Sequence, residues 1–84
     1  MTKYGVHLED EQNYQLLVDQ MRPGQDWVWC TDLPDRYFPK GFRKSETPYG
    51  EMFVMGPFAT ERAANANAER FLKDGLGAKP AITS

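Results

Sequence analysis

Cysteine and histidine are nearly absent from this chain: Cys30 and His7 are the only residues of their types among 84. A lone cysteine cannot close an intrachain disulfide, so the fold must stand on its core, and a small domain without such a framework suits a reducing compartment. A zinc-type site gathers several His, Cys or carboxylate ligands. One histidine and one cysteine on separate segments do not supply one, and no metal or other cofactor is expected. The same two residues are the only material for a Cys–His nucleophilic pair. Cys30 sits in the apolar run Trp27-Val28-Trp29-Cys30, which raises a thiol pKa and blunts its reactivity. Long apolar runs are missing too. No segment approaches the ~20 apolar residues of a membrane span, and Met1 to His7 lacks the apolar core of a signal peptide. Charge of one sign is not in excess: 10 Lys and Arg stand against 12 Asp and Glu, for a net charge of -2. Global attraction to nucleic acid or anionic membranes is therefore not expected. A glycine-rich phosphate loop is also absent. Gly56-Pro57 cannot act as one, because proline removes an N–H that a phosphate cradle uses. These absences predict a cytoplasmic, non-enzymatic protein.

The length predicts a single domain over residues 1–84. A chain this size buries only about 60–65% of its unfolded surface, so its core is thin. Aromatics make up 13% of the chain; because each buries a large area, they compensate for that thinness and argue against disorder.

Tyr4, Val6 and Leu8 alternate with Gly5 and His7, the period of a strand with one buried face. The acidic cluster Glu9-Asp10-Glu11 suits a helix start, with Asp10 as N-cap. Tyr14, Leu17, Val18 and Met21 then fall at helical spacing, and Pro23-Gly24 would end that helix. Trp27 to Thr31 is rich in β-formers. Trp27, Trp29 and Thr31 would share one face and Val28 and Cys30 the other, as in a central strand with a helix on one side. Whether the two tryptophans are core or an open surface turns on whether helices cover them; the core reading is preferred.

Residues 50–77 are the best-specified part of the chain. Glu51 to Met55 reads as a strand and Gly56-Pro57-Phe58 as a corner. Thr60 is a good N-cap, Glu61 suits the first turn, and Ala64, Ala68, Phe71 and Leu72 form a buried stripe that Gly75 would end at a left-handed C′ position. Residues 78–84 would add a short edge strand or fray. The resulting fold class is α+β: a small three- to four-stranded sheet with two helices on one face, in the βαββα(β) order of ferredoxin-like sandwiches.

The stretch Phe53-Val54-Met55-Gly56-Pro57-Phe58-Ala59-Thr60, continued through Ala64, Ala68, Leu72 and Gly75, resembles the second βα repeat of a SPOR domain. The resemblance spans about a third of the chain. It implies a βαββαβ fold and binding to denuded septal peptidoglycan glycans. The first repeat's strand and glycine corner are not matched, since His7-Leu8-Glu9-Asp10 stands in that place, and the membrane anchor usual in the family is not seen.

The segment 32–49 contains Pro34, Pro39, Pro48 and Gly41, which predicts a long irregular loop. Asp32 and Asp35 are paired carboxylates that fit turn positions around Pro34 better than acid–base chemistry. The loop interleaves Arg36, Lys40, Arg43 and Lys44 with Tyr37, Phe38 and Phe42, and Tyr49 follows. Arg and Tyr dominate protein-interface hot spots, whereas cations beside open rings bind single-stranded nucleic acid. Alternatively the rings fold back as a lid on the core while the charges stay solvated. The preferred function is a non-catalytic protein that binds a protein partner stoichiometrically, as small bacterial adaptors or phage-type inhibitors do. The contact residues would be Arg36, Tyr37, Phe38, Lys40, Phe42, Arg43, Lys44 and Tyr49. Glycan binding and single-stranded nucleic-acid binding are the alternatives. An edge strand offers a further route to a partner or a homodimer.

Overall fold

A computed structural model describes residues 1–8 and 11–75, and the backbone of 81–82. The chain runs β1 (Thr2–His7), β2 (Asn13–Gln20), β3 (Trp27–Thr31), a 3-10 turn (Asp35–Tyr37), β4 (Lys44–Thr47), β5 (Gly50–Phe58), α1 (Glu61–Arg70) and β6 (Ala81–Ile82). The strands form one sheet in the order β4-β5-β3-β2-β1-β6, with every neighbouring pair antiparallel.

This corrects the α+β expectation of two helices over three or four strands. Among the described residues the protein is mostly β, with a single α-helix, α1. The expected first helix is β2. Its apolar run Leu16-Leu17-Val18 is buried throughout, with Leu16 and Val18 packed toward α1 and Leu17 packed with Cys30 on the opposite face. A strand flanked on both sides and buried on both faces reads as a continuous apolar run, and periodicity cannot separate that from a helical stripe. The βαββαβ order implied by the SPOR resemblance is lost with that helix. Of the acidic segment expected to start the helix, Glu11 is described and lies between β1 and β2. Glu11 has φ 61° and donates its N–H to Leu8 O at 2.9 Å. The Asp10 N-cap falls outside the described residues.

Pro23-Gly24 is a hairpin turn rather than a helix stop. Gln25 N donates to Arg22 O at 3.1 Å, and Gly24 has φ 80°, so proline and glycine occupy the positions a type II turn prefers. The Gly56-Pro57 step is not a corner either: β5 continues through it to Phe58. Trp29 pairs with Met55 and Trp27 with Phe58, so Gly56 and Pro57 together oppose Val28 in a bulge. Glycine is required there. Its φ is 142°, and a Cβ would lie 2.9 Å from Val28 Cγ1.

Other expectations hold. β1 buries Tyr4 and Val6 on one face. β3 is central, with Trp29 facing the helix and Val28 and Cys30 facing away. Thr60 caps α1, its Oγ1 accepting from Ala63 N at 3.1 Å. Ala64, Ala68 and Leu72 are fully buried against the sheet; the alanines have no bulk to hold the helix away. The left-handed C′ glycine expected at Gly75 is corrected: the helix runs on into a π turn, Phe71–Gly75, and Gly75 lacks a positive φ. Of the tail, Ala81–Ile82 pairs with Tyr4 and Gly5 as an edge strand; residues 78–80 and 83–84 lie outside the described set.

Candidate interaction site

The segment after β3 is anchored at its start by short hydrogen bonds. Thr31 Oγ1 donates to Gln15 O at 2.7 Å, and Asp32 Oδ1 accepts from Gln15 N at 2.9 Å. Leu33 is buried, and Phe38 N donates to Asp35 O at 3.0 Å to close the 3-10 turn. The chain is thereby aimed so that Phe38 enters an aromatic stack. Its ring lies 3.8 Å from Phe53 and 5.2 Å from Phe71, nearly parallel to both. Phe42 leans on Phe38 at 4.9 Å, and Phe71 continues to Trp29 at 5.0 Å. The row Phe53–Phe38–Phe71–Trp29 ties the loop, the sheet and the end of the helix together. The expected irregular loop is thus an ordered cover on the core, and its last part is β4.

The basic side chains of this segment point outward. Arg36 lies 4.8 Å above the Tyr37 ring. Lys44 Nζ is 3.0 Å from Asp35 Oδ1 and 5.1 Å from the Phe53 ring centre. Lys40 and Arg43 are exposed and form no ion pair among the described residues. They rim a shallow depression of about 390 Å³ floored by Phe42, Val54, Met55 and Gly56. A larger depression, about 450 Å³, lies by the β2–β3 turn with Asp26 as its only charged group.

Seven of the eight sequence-predicted contact residues, Arg36, Tyr37, Phe38, Lys40, Phe42, Arg43 and Lys44, therefore share one region, divided into packed rings and exposed cations. Tyr49 is separate. It sits at the far end of β4, in the turn to β5, where its hydroxyl donates to Asp19 Oδ2 at 2.5 Å and lies 3.3 Å from Met1 Sδ. That hydrogen bond, with burial second, pushes the Tyr49 pKa up to about 12.

Cys30 and His7 are not brought together. Cys30 is fully buried in β3, and burial, followed by the charges of Asp19 and Asp32, pushes its thiol up to about 11. His7 is exposed at the end of β1, its Nδ1 2.8 Å from Asn13 Oδ1. Asp32 and Asp35 are likewise occupied, one by Gln15 N and the other by Lys44. Among the described residues no three His, Cys, Asp or Glu are placed to hold a metal ion, and no helix is long and apolar enough to cross a membrane.

The polar partners of the core were not apparent from sequence. Asn67 Oδ1 accepts from Trp29 Nε1 at 2.8 Å. The Tyr4 hydroxyl lies 3.0 Å from Asn65 Oδ1 and 3.2 Å from Glu69 Oε1, with one proton to give them. Burial first, then the charge of Glu69, pushes the Tyr4 pKa up to about 12. The two asparagines interrupt an alanine-rich helix, and residues of low helix propensity there were the one available sign of such a duty.

No protein-family model, curated protein or solved structure matches this chain.

Proposed function

We propose that this chain is a non-catalytic binding protein that engages a protein partner stoichiometrically through the exposed cations of residues 36–44. The observation that carries this reading is the division of labour within the segment. Stacked rings hold the backbone in place, while Lys40 and Arg43 stay exposed without an ion pair among the described residues. A loop already ordered by its own packing loses little conformational freedom on binding. Its charges then set partner choice and association rate, complementing an acidic protein surface. Nucleic acid fits less well, because base stacking needs open ring faces and Phe38 already lies between Phe53 and Phe71.

The test is affinity capture from the native host's lysate, followed by reconstitution with the purified partner. The doubly substituted protein, Lys40→Glu with Arg43→Glu, should bind that partner at least about tenfold more weakly, since two rim charges are reversed, while its circular dichroism is unchanged. Unaltered affinity in the folded double variant would remove this loop as the contact surface.

A further inference from the structure

We propose that β4 is the interface of a symmetric dimer of this chain, in which two copies pair β4 antiparallel about a twofold axis at Ser45. The proposal does not depend on the partner reading above. β4 is the outer strand on its side of the sheet. The ladder parity determines which of its backbone groups are free. Val54 N donates to Arg43 O at 3.1 Å, which makes 43 and 54 a hydrogen-bonded pair in the register Lys44↔Phe53, Ser45↔Met52, Glu46↔Glu51. Pairs alternate along an antiparallel ladder. Ser45 and Thr47 therefore direct their N–H and C=O toward β5, while Lys44 and Glu46 direct theirs to the open edge.

A twofold axis at Ser45 places Lys44 of one copy opposite Glu46 of the other, twice by symmetry. These are the residues whose backbone groups face outward, so one register closes four backbone hydrogen bonds and two opposite-charge pairs together. Any shift by one residue turns the outward groups away from each other. The side chains supply a second argument. Glu46 lies directly opposite Glu51 in a non-hydrogen-bonded pair, where side chains are closest and like charges repel. Within the described chain no cation answers Glu46, and Lys44 of a second copy would. Lys44 keeps its contact with Asp35, so it would bridge two carboxylates. Lysine on an edge strand ordinarily discourages pairing; here the glutamate two residues on, on the same face, makes the strand complementary to itself.

Four residues per copy make a small interface, of the weak class, so the measurement is sedimentation velocity of the full chain up to about 1 mM. The wild type should dimerise. Lys44→Glu and Glu46→Lys should each raise the dissociation constant roughly tenfold or more, because both symmetric pairs become repulsive. Mixing these two variants should restore a 1:1 heterodimer, since every cross-strand pair is again opposite in sign. Glu46→Pro, which removes an outward N–H but no bond to β5, should abolish the dimer with the circular dichroism of the monomer intact. A wild type that stays monomeric throughout, leaving the edge for another protein's strand, overturns the proposal. So does a dimer indifferent to Glu46→Pro, or a mixture of the two charge variants that does not associate.

Discussion

The two faces of the central sheet are closed in different ways. On one face Tyr4, Leu16, Val18 and Trp29 meet Ala64, Ala68 and Leu72 of the helix, with Phe38, Phe42 and Phe71 at the margin. Every buried polar side-chain atom among the described residues has a partner, and on this face Asn65, Asn67 and Glu69 of the helix supply partners to Tyr4 and Trp29. Among the described residues the other face buries Leu17, Val28, Cys30 and Val54, flanked by Met21 and Met52. No helix lies over it among the described residues. Its members are nonetheless buried, with Met21 and Met52 packed against them, and Tyr49, in the β4–β5 turn, reaches Asp19 two strands beyond β5. A thin domain can thus close one face with an element and the other with flexible methionines and a single tethered side chain. The first closure depends on shape, the second on reach.

The largest effects should come from the helix-covered face. Trp29→Ala removes a ring in contact with Phe71 and strands Asn67, and should cost about 3–5 kcal/mol in urea unfolding. Leu17→Ala on the other face should cost closer to 2 kcal/mol, because methionines and a hairpin tip collapse into a gap more readily than a packed helix does. Equal losses would show that the two closures are equally rigid.

High pH reports both faces together. The Cys30 thiol rises from 9.0 to about 11 and the Tyr4 phenol from 10.0 to about 12. The folded chain therefore holds protons that the unfolded chain releases first. That stabilisation is complete below pH 9.0 and is lost as pH climbs through the folded values of about 11 and about 12. Urea midpoints should be flat below this window and fall through it. Cys30→Ala should remove the earlier part of the fall, and an unchanged profile in that variant would mean that the bare face is open to water.

The smallest effect should be at Tyr49. Its side chain is 41% exposed, so Tyr49→Phe should lose only about 0.5–1.5 kcal/mol. The same change should speed modification of Cys30 by a thiol reagent, which the closed face slows. A stability loss without faster labelling would show that the tether does not guard that face.

The legible parts of the sequence were local. Alternation in β1, the two-sided run of β3 and the Thr60 cap depend on neighbours within a few residues, and each was readable. The stack of Phe38 on Phe53 and Phe71 was not, because its members come from three separated segments. The division of residues 36–44 into packed rings and exposed cations was one of the readings the sequence offered, but a sequence that shows an aromatic beside a lysine does not show which way either points, so only the fold selects it. Tyr49 was grouped with the loop by proximity in the chain, whereas its hydroxyl belongs to the opposite face of the sheet.

The amino-acid sequence by itself determined the Thr60 cap, the alanine face of the helix and the lack of a disulfide, because these follow from single side chains and short spacings. Tertiary structure alone decided that residues 13–20 are a strand. Tyr14, Leu17, Val18 and Met21 fit a helical stripe while Leu16, Leu17 and Val18 fit a doubly buried strand, and only β1 and β3 on either side, offering a ladder of backbone hydrogen bonds, settle the choice.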